Sequence, residues 1–291
     1  MKFIENKFLS ELVKKRGWIT SLLLVLFLIV LSRTVNEMGV NYVANQQERN
    51  PDGIIVGAEP VFREGDGKVG LLLIHGYSSS PSDFRELVEF LSEKGITIHV
   101  PLLPGHGTHP KDLRESTYQE WQSVVEESLE KLNTEKKFVL GFSMGGTLAL
   151  DLASKKNLDG LMTLNAAIFL ANRWLPFISI ISIVETYVEK KPESIIGFIN
   201  EKRVVYDSIP LSSILELQDL IKQLNIKKVT EPLLIFQSDN DKTVLPESAN
   251  YIFNNVQSKD KELINLGNST HASIENEQAA FEEIYNFITT H

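Results

Sequence analysis

Residues 137–146, KFVLGFSMGG, join an apolar, strand-like run to a pattern typical of a helix. Within this stretch, residues 141–145 match the pattern G-x-S-x-G. A serine at such a junction occupies a strained turn that projects its hydroxyl above a sheet, where side chains at the flanking positions would collide with backbone. The stretch therefore predicts Ser143 as a nucleophile, with a purely structural tight turn as the alternative.

Apolar strands and amphipathic helices alternate on both sides of this turn. The strand-like runs are Lys68–Ile74, Ile96–Val100, Leu158–Leu164, Pro232–Gln237 and Glu262–Leu266. Uninterrupted apolar strands between helices are typical of a parallel sheet that is covered on both faces. We therefore predict an α/β fold with a mostly parallel sheet between two helical layers.

Residues 167–228 interrupt the alternation. Links in such folds usually have about 2–6 residues, whereas this stretch is far longer and contains apolar pieces at 169–170 and 174–181. We predict a helical cap over the carboxyl edge of the sheet. Additional scaffold helices without a role in binding are the alternative.

The charge of the chain is unevenly distributed. The 291 residues include 29 Lys and Arg against 38 Asp and Glu, a net charge of −9, yet residues 1–33 alone carry +4. The remaining residues carry −13, and an acidic body argues against nucleic acid as a partner. The sequence has 0 cysteines, which excludes disulfides, thiolate metal sites and cysteine nucleophiles.

The basic N-terminal segment precedes an apolar run at residues 19–31. A helix over residues 17–32 would extend about 24 Å at about 1.5 Å per residue, against a hydrocarbon core of about 30 Å. Snorkelling of Arg16 and Arg33 would make up the difference. Because basic residues 14–16 lie just before the run, we expect a cytoplasmic N-terminus and an extracytoplasmic body at the cell membrane.

These observations predict a basic segment and membrane anchor at residues 1–35, a polar linker at 36–60 and a catalytic body at 61–291. A cleaved signal peptide is one alternative, although no small-x-small site follows the run. A core helix of the body is another, although the run lacks the polar face that such a helix would show.

A serine hydroxyl needs a base within hydrogen-bond reach, and the base needs an acid to orient it. His271 lies in a polar loop after the last strand, which places it at the same sheet edge as Ser143. The loop after Pro232–Gln237 offers Asp239 and Asp241. We choose Asp241 because it lies further past the strand, and Asp239 then forms the turn.

The negative oxygen that develops during acyl transfer needs preorganised N–H donors. The backbone N–H of Met144, directly after the nucleophile, is one candidate, and that of Tyr77, in the loop after Ile74, is the other. His75 in the same loop is interpreted as a residue that shapes the loop.

The motifs together resemble the bacterial carboxylesterase and monoacylglycerol lipase branch of the α/β-hydrolases. They are His75-Gly76-Tyr77, Pro104-Gly105-His106-Gly107, Gly141 to Gly146, Asp241-x-x-Val244 and His271, in the chain order that this fold uses. The resemblance covers about residues 53–290 and implies an α/β-hydrolase fold, a structural role for His106 and hydrolysis of carboxylic esters. The N-terminal apolar run is not part of the family pattern.

The leading hypothesis is therefore a membrane-anchored serine esterase or lipase that works through an acyl-enzyme, with no cofactor and no metal. Its expected partners are a small ester with an apolar acyl chain and the membrane, not nucleic acid. A peptidase or thioesterase of the same fold is the alternative, since all three reactions use the same machinery. A catalytically idle, anchored binding protein is the third hypothesis.

Overall fold

The computed structural model describes residues 2–191, 195, 202–267, 269–271 and 278–291, with side chains from residue 15. The strands are β1 (Val61–Arg63), β2 (Val69–Ile74), β3 (Thr97–Val100), β4 (Lys136–Phe142), β5 (Gly160–Leu164), β6 (Tyr187–Glu189), β7 (Ser208–Pro210), β8 (Leu233–Gln237) and β9 (Lys261–Asn265). The helices are α1 (Lys2–Ala44), α2 (Arg85–Ser92), α3 (Pro110–Glu115), α4 (Tyr118–Lys131), α5 (Met144–Ala153), α6 (Ile178–Val184), α7 (Leu211–Gln223), α8 (Glu247–Asn255) and α9 (Gln278–Thr290).

Within the described residues, seven strands form the central sheet in the order β1-β3-β2-β4-β5-β8-β9. The edge strand β1 runs antiparallel to β3, and the other neighbouring strands are parallel. The predicted mostly parallel sheet is thereby confirmed. Since β4 lies at the middle of this order, the loop that follows it opens at the centre of the carboxyl edge.

Helices cover both faces of the sheet, as predicted. Leu72 and Ile74 of β2 point into a core that includes Trp121 of α4. Leu71 and Leu73 point to the opposite face, where α2 and α9 pack. Because successive strand residues alternate between faces, the unbroken apolar run of β2 serves two cores at once.

The insertion after β5 contains α6, β6, β7 and α7. The predicted cap is thus not purely helical, because β6 pairs antiparallel with β7. Residues 192–194 and 196–201 of the predicted cap lie outside the described residues. The cap is tied to the carboxyl edge by a bridge between Leu170 and Val244, which follows β8.

Helix α1 continues past the predicted end of the anchor at residue 35 and reaches Ala44. Residues 36–44 are therefore helical, where the sequence predicted a polar linker. Polar residues such as Asn36 face the cap rather than mark a loop. Within the described part of the chain, one helix, Lys15–Ala44, is long and apolar enough to cross a membrane, and its most apolar window is 0% buried.

Candidate active site

The turn between β4 and α5 has the strained geometry that its sequence predicts. Ser143 has a φ of 54° and a ψ of −116°, outside the regions that side chains usually adopt. A Cβ on Gly141 would collide with the carbonyl of Gly145, and a Cβ on Gly145 would collide with the carbonyl of Ile74. The glycines are therefore required by close backbone approach, as expected.

The three residues predicted as a triad lie together. The Nε2 atom of His271 is 3.0 Å from the Oγ of Ser143, and its Nδ1 is 2.5 Å from Oδ2 of Asp241. The second carboxylate oxygen of Asp241 accepts the backbone N–H groups of Thr243 and Val244, each at 2.8 Å. The acid is thus buried and held on both oxygens, while the histidine is aimed at the serine.

Asp239, the alternative acid, is separate from this cluster. Its Oδ1 accepts an exposed hydrogen bond from Asn265 at 2.7 Å. Its backbone N–H donates to the carbonyl of Gly267 at 2.9 Å. Asp239 therefore joins the two loops that carry Asp241 and His271 without touching the histidine ring.

Asn165 follows β5 at the same edge and was missed by the sequence reasoning. Its side-chain amide donates to the carbonyl of His271 at 2.9 Å and to the Oγ of Ser238 at 3.1 Å. Its side-chain oxygen accepts the N–H of Ser238 at 2.8 Å. The residue is fully buried, with a φ of 46°. A polar residue at the end of an apolar strand was the available signal.

Hydrogen bonds to the carboxylate of Asp83 hold the loop that carries Tyr77 in place. This carboxylate accepts the N–H of Gly76 at 2.9 Å and the hydroxyl of Ser79 at 2.5 Å. The cap contributes Arg203, whose Nε donates to Asp83 at 2.8 Å, and both side chains of this pair are at most 3% exposed. Sequence reasoning missed both residues, since they are 120 positions apart.

The two N–H groups predicted to bind a negative oxygen belong to Met144, directly after Ser143, and to Tyr77, which lines the same cavity as Ser143. Met144 is the first residue of α5, so its N–H has no partner within the helix. Among the hydrogen bonds of the described residues, neither this N–H nor that of Tyr77 is paired. The side chain of Tyr77 is turned toward the cap, where its hydroxyl lies 2.5 Å from Ser213.

The histidines near this loop have structural contacts. His75 accepts the N–H of Leu103 on Nε2 at 3.0 Å, so its Nδ1 carries the proton and donates to Gly76 at 3.0 Å. The Nδ1 of His106 lies 3.0 Å from the carbonyl of Pro104. Burial lowers the pKa of His75 and lowers that of His106 further. Both rings are neutral parts of the scaffold.

A cavity of about 250 Å³ opens beside Ser143 and His271. Apolar side chains from the body and the cap line much of it, namely Phe142, Leu170, Val205, Ile209 and Leu217. The cap also contributes the basic residues Lys190, Lys191 and Arg203. Burial and the neighbouring guanidinium of Arg203 lower the pKa of Lys190 to about 7. The cavity is therefore mainly apolar, since Asp83 balances the charge of Arg203 and the lowered pKa of Lys190 weakens the charge of that lysine.

The described residues contain no group of three or more His, Asp and Glu side chains placed to hold a metal ion. The cluster contains the groups that acyl transfer by a serine requires, namely the nucleophile, a histidine base with its acid, and two candidate N–H donors.

Comparison with known proteins agrees with this geometry. The family model described as serine aminopeptidase, S33, matches residues 66–279. A thermostable monoacylglycerol lipase of Bacillus sp. (strain H-257) is 35% identical over 228 residues, which cover 76% of this chain and 89% of that protein. A carboxylesterase of Bacillus subtilis (strain 168) is 28% identical over 237 residues, covering 78% of this chain and 94% of that protein.

Solved structures give the same result. A structure described with the metagenome-derived lipolytic enzymes LipS and LipT has a TM-score of 0.75 and 28% identity, and covers 82% of this chain and 100% of that one. The monoacylglycerol lipase of Paleococcus ferrophilus shares the fold, with a TM-score of 0.64 and 17% identity over 80% of this chain and 98% of that one. The predicted resemblance to α/β-hydrolases of the esterase and lipase type is confirmed, and the protein is an ester hydrolase. The chain belongs to the hydrolase family described as serine aminopeptidase, S33.

Proposed function

We propose that this protein hydrolyses carboxylic esters with an apolar acyl chain, monoacylglycerols among them, through Ser143, His271 and Asp241. The observation that carries the proposal is the relay of contacts from Ser143 through the two ring nitrogens of His271 to Asp241, at 3.0 and 2.5 Å. Nucleophile, base and orienting acid are thereby in reach of one another before any substrate binds.

The first half of the reaction acylates the serine. As Ser143 attacks the ester carbonyl, its proton passes to Nε2 of His271, and Asp241 stabilises the imidazolium that forms. The N–H groups of Tyr77 and Met144 hold the negative oxygen. The ester C–O bond then breaks, and His271 returns the proton to the departing alcohol. In the second half, His271 takes a proton from water, the hydroxide attacks the acyl-enzyme, and Ser143 leaves with the proton.

The cavity favours an ester over an aminoacyl substrate. Its apolar lining suits an acyl chain, and its described lining residues include no carboxylate that could bind the ammonium group of a peptide's amino terminus. The named relatives, a monoacylglycerol lipase and a carboxylesterase, act on esters. A thioester would fit the same cavity, so thioesterase activity remains the second candidate.

We further propose that α1 anchors the enzyme in the cell membrane, with the N-terminus in the cytoplasm and the hydrolase domain outside. The apolar window of α1 is open to its surroundings, and basic residues 14–16 precede it. The proposed parts are the anchor at residues 1–35, a connection at 36–60 whose first residues extend α1, and the hydrolase domain at 61–291 with its cap. Mass spectrometry of the membrane fraction distinguishes a retained anchor from a cleaved signal peptide.

The catalytic assignment is tested with Ser143→Ala, and Ser123→Ala serves as an exposed serine control on α4. We expect Ser143→Ala to lose hydrolysis of p-nitrophenyl butyrate and labelling by a fluorophosphonate probe, while Ser123→Ala keeps both. Full activity of Ser143→Ala, or labelling of another residue, would overturn the assignment. Matched acyl thioester and aminoacyl anilide substrates then rank the alternatives.

A further inference from the structure

Helix α6 in the cap is apolar except for Ser179 and Ser182. Its inner residues Ile178 and Ile181 belong to a cluster with Tyr77 and Ile209, which line the active-site cavity. Its outer side continues the apolar character, together with the turn before it. We call this side the outer cap face, formed by Trp174, Phe177, Ile180, Ile183 and Val184, with exposed fractions from 42% to 65%. A helix facing water would carry polar residues there, and contiguous apolar surface marks a contact site.

The position of α6 relative to the anchor is fixed by contacts with α1. The guanidinium of Arg33 donates to the carbonyls of Ser182 at 2.7 Å and Ile183 at 3.2 Å. These carbonyls end α6, where a cation is favoured by the helix dipole. The neighbouring hydroxyl of Ser32 donates to Glu185 at 3.0 Å. Arg33 therefore joins the cap to the end of the apolar run in α1.

A second set of contacts lies one turn further along α1. Asn36 forms a reciprocal pair with the backbone of Tyr187, accepting its N–H at 2.9 Å and donating to its carbonyl at 3.2 Å. Glu37 accepts from Thr186 at 3.1 Å and from Arg114 at 2.8 Å. Because these contacts extend over successive turns, α1 is packed rigidly against the cap.

These contacts determine where the outer cap face lies along the length of α1. The apolar run of α1 ends at residues 31–32, and the next residue binds the end of α6. If α1 spans a bilayer, α6 lies where the hydrocarbon core gives way to headgroups. Aromatic residues such as Trp174 are favoured at that depth.

We propose that the outer cap face is a membrane-docking surface, seated in the extracytoplasmic leaflet of the bilayer that α1 spans, and that the ester substrate reaches the cavity from this leaflet. The proposal rests on the proposed anchor and esterase activity. Since the inner side of α6 packs against Tyr77 and Ile209 of the cavity wall, lipid on its outer side brings the acyl chains within about one helix diameter of that wall.

Docking itself is tested by fluorescence quenching of the full chain in nanodiscs of phosphatidylcholine and phosphatidylglycerol, with and without brominated phosphatidylcholine. Trp18→Phe removes the tryptophan of α1 and leaves Trp174 and the fully buried Trp121. We expect brominated lipid to quench this variant, and the quenching to disappear when Trp174→Phe is added. Equal fluorescence in both lipids for the Trp18→Phe variant would overturn the proposal.

The route of the substrate is tested with the double variant Ile180→Asp, Ile183→Asp, against Val56→Asp as a control on an exposed aliphatic residue outside the cap. We expect the double variant to lose about tenfold in hydrolysis of a monoacylglycerol embedded in nanodiscs, because charges oppose insertion, while p-nitrophenyl butyrate hydrolysis stays within about twofold. The control should match the wild type on both substrates.

Other outcomes separate the claims. Equal losses on both substrates, or no loss on either, would overturn the route from the leaflet. A dimer of the full chain that the double variant dissolves, with Trp174 unquenched, would show that a second copy covers the face and would overturn docking. A wild-type enzyme inactive on both esters would instead defeat the proposed function, and the quenching result would still stand on its own.

Discussion

The carboxyl edge of the sheet and the outer cap face differ in the exposure and the polar contacts of their side chains. At the edge, Ser143 is 7% exposed and Asp241 is 5% exposed, and the polar atoms of this pair lie within hydrogen-bond reach of His271. On the outer cap face, Ile180 is 65% exposed and has no polar role. The polar groups of the edge find their partners within the chain, whereas an exposed apolar surface such as the cap face is typical of a contact with something outside the chain.

The cap that carries the outer face meets the edge at the buried pair of Arg203 and Asp83. Arg203 belongs to the cap, and its guanidinium lies 5.2 Å from the centre of the Phe142 ring. That ring in turn lies 5.1 Å from the ring of His271. Asp83 holds the Gly76 N–H beside the predicted oxyanion donor Tyr77. The position of the cap is therefore coupled to the geometry of the catalytic edge.

The largest effect is expected from a substitution that breaks the hydrogen bond between Asp241 and His271 at the edge. We predict that Asp241→Asn lowers kcat/KM for p-nitrophenyl butyrate by about 10⁴-fold, because an amide at this position stabilises the wrong histidine tautomer. Asp239→Asn is the matched control and should stay within about threefold, since Asp239 contacts Asn265 and not the ring. A larger loss in Asp239→Asn than in Asp241→Asn would reverse the assignment of the acid.

The next effect concerns the packing of the edge. Gly145→Ala would drive a Cβ into the carbonyl of Ile74, so we predict a loss of about 4 kcal/mol or more in unfolding free energy. Gly39→Ala in α1 is the control, because nothing lies within 4 Å of its Cβ position. It should change stability by less than about 1 kcal/mol, toward higher stability. Chemical unfolding of both variants measures the difference, and similar values for the two would refute the packing argument.

The junction between the two regions gives a smaller effect. Arg203→Met leaves the Asp83 carboxylate buried without its cation, which should cost about 3 kcal/mol of stability. Lys222→Met removes an exposed ion pair with Asp219 and should cost less than about 1 kcal/mol. We also expect Arg203→Met to lower kcat more than it raises KM, since Tyr77 would no longer be held in place. Unchanged kcat in a folded Arg203→Met variant would show that cap and edge are not coupled.

The smallest effect is a dependence of stability on pH. Burial keeps the pKa of His75 and of His106 below the ordinary value of 6.5. Below pH 6.5 the unfolded chain therefore binds more protons than the folded one, and stability falls as the pH falls, with a slope of at most about 1.4 kcal/mol per pH unit for each histidine. His106→Gln should lose about 1.4 kcal/mol less than the wild type between pH 7.5 and 5.5. Identical losses measured by urea unfolding would contradict this account.

Much of the edge could be predicted because its constraints are local. The glycines around Ser143 are needed by the turn itself, so they form a continuous motif. The placement of Asp241 and His271 in loops after strands follows from the direction of parallel strands. Asp241 is preferred over Asp239 because it lies further past the strand. In the structure Asp239, nearer the strand, joins the two loops, whereas Asp241 contacts the ring of His271.

The contacts that join distant segments could not be predicted in this way. Asn165 and Asp83 contact residues 106 and 120 positions away. Asn36 contacts Tyr187 across 151 positions. Polar residues that pair across such distances leave no periodic pattern, and for this reason residues 36–44 resembled a linker although they continue α1.

The sequence by itself determined the α/β class, the strained serine turn and the apolar N-terminal run, because each depends on neighbouring residues and on hydrophobic periodicity. Only the tertiary structure decided that α1 binds the cap and that an arginine of the cap holds the loop beside the serine. It also decided that the end of α6 lies beside the end of the apolar run of α1. Those features depend on which surfaces meet after the chain folds, and contacts between surfaces are set by packing in three dimensions.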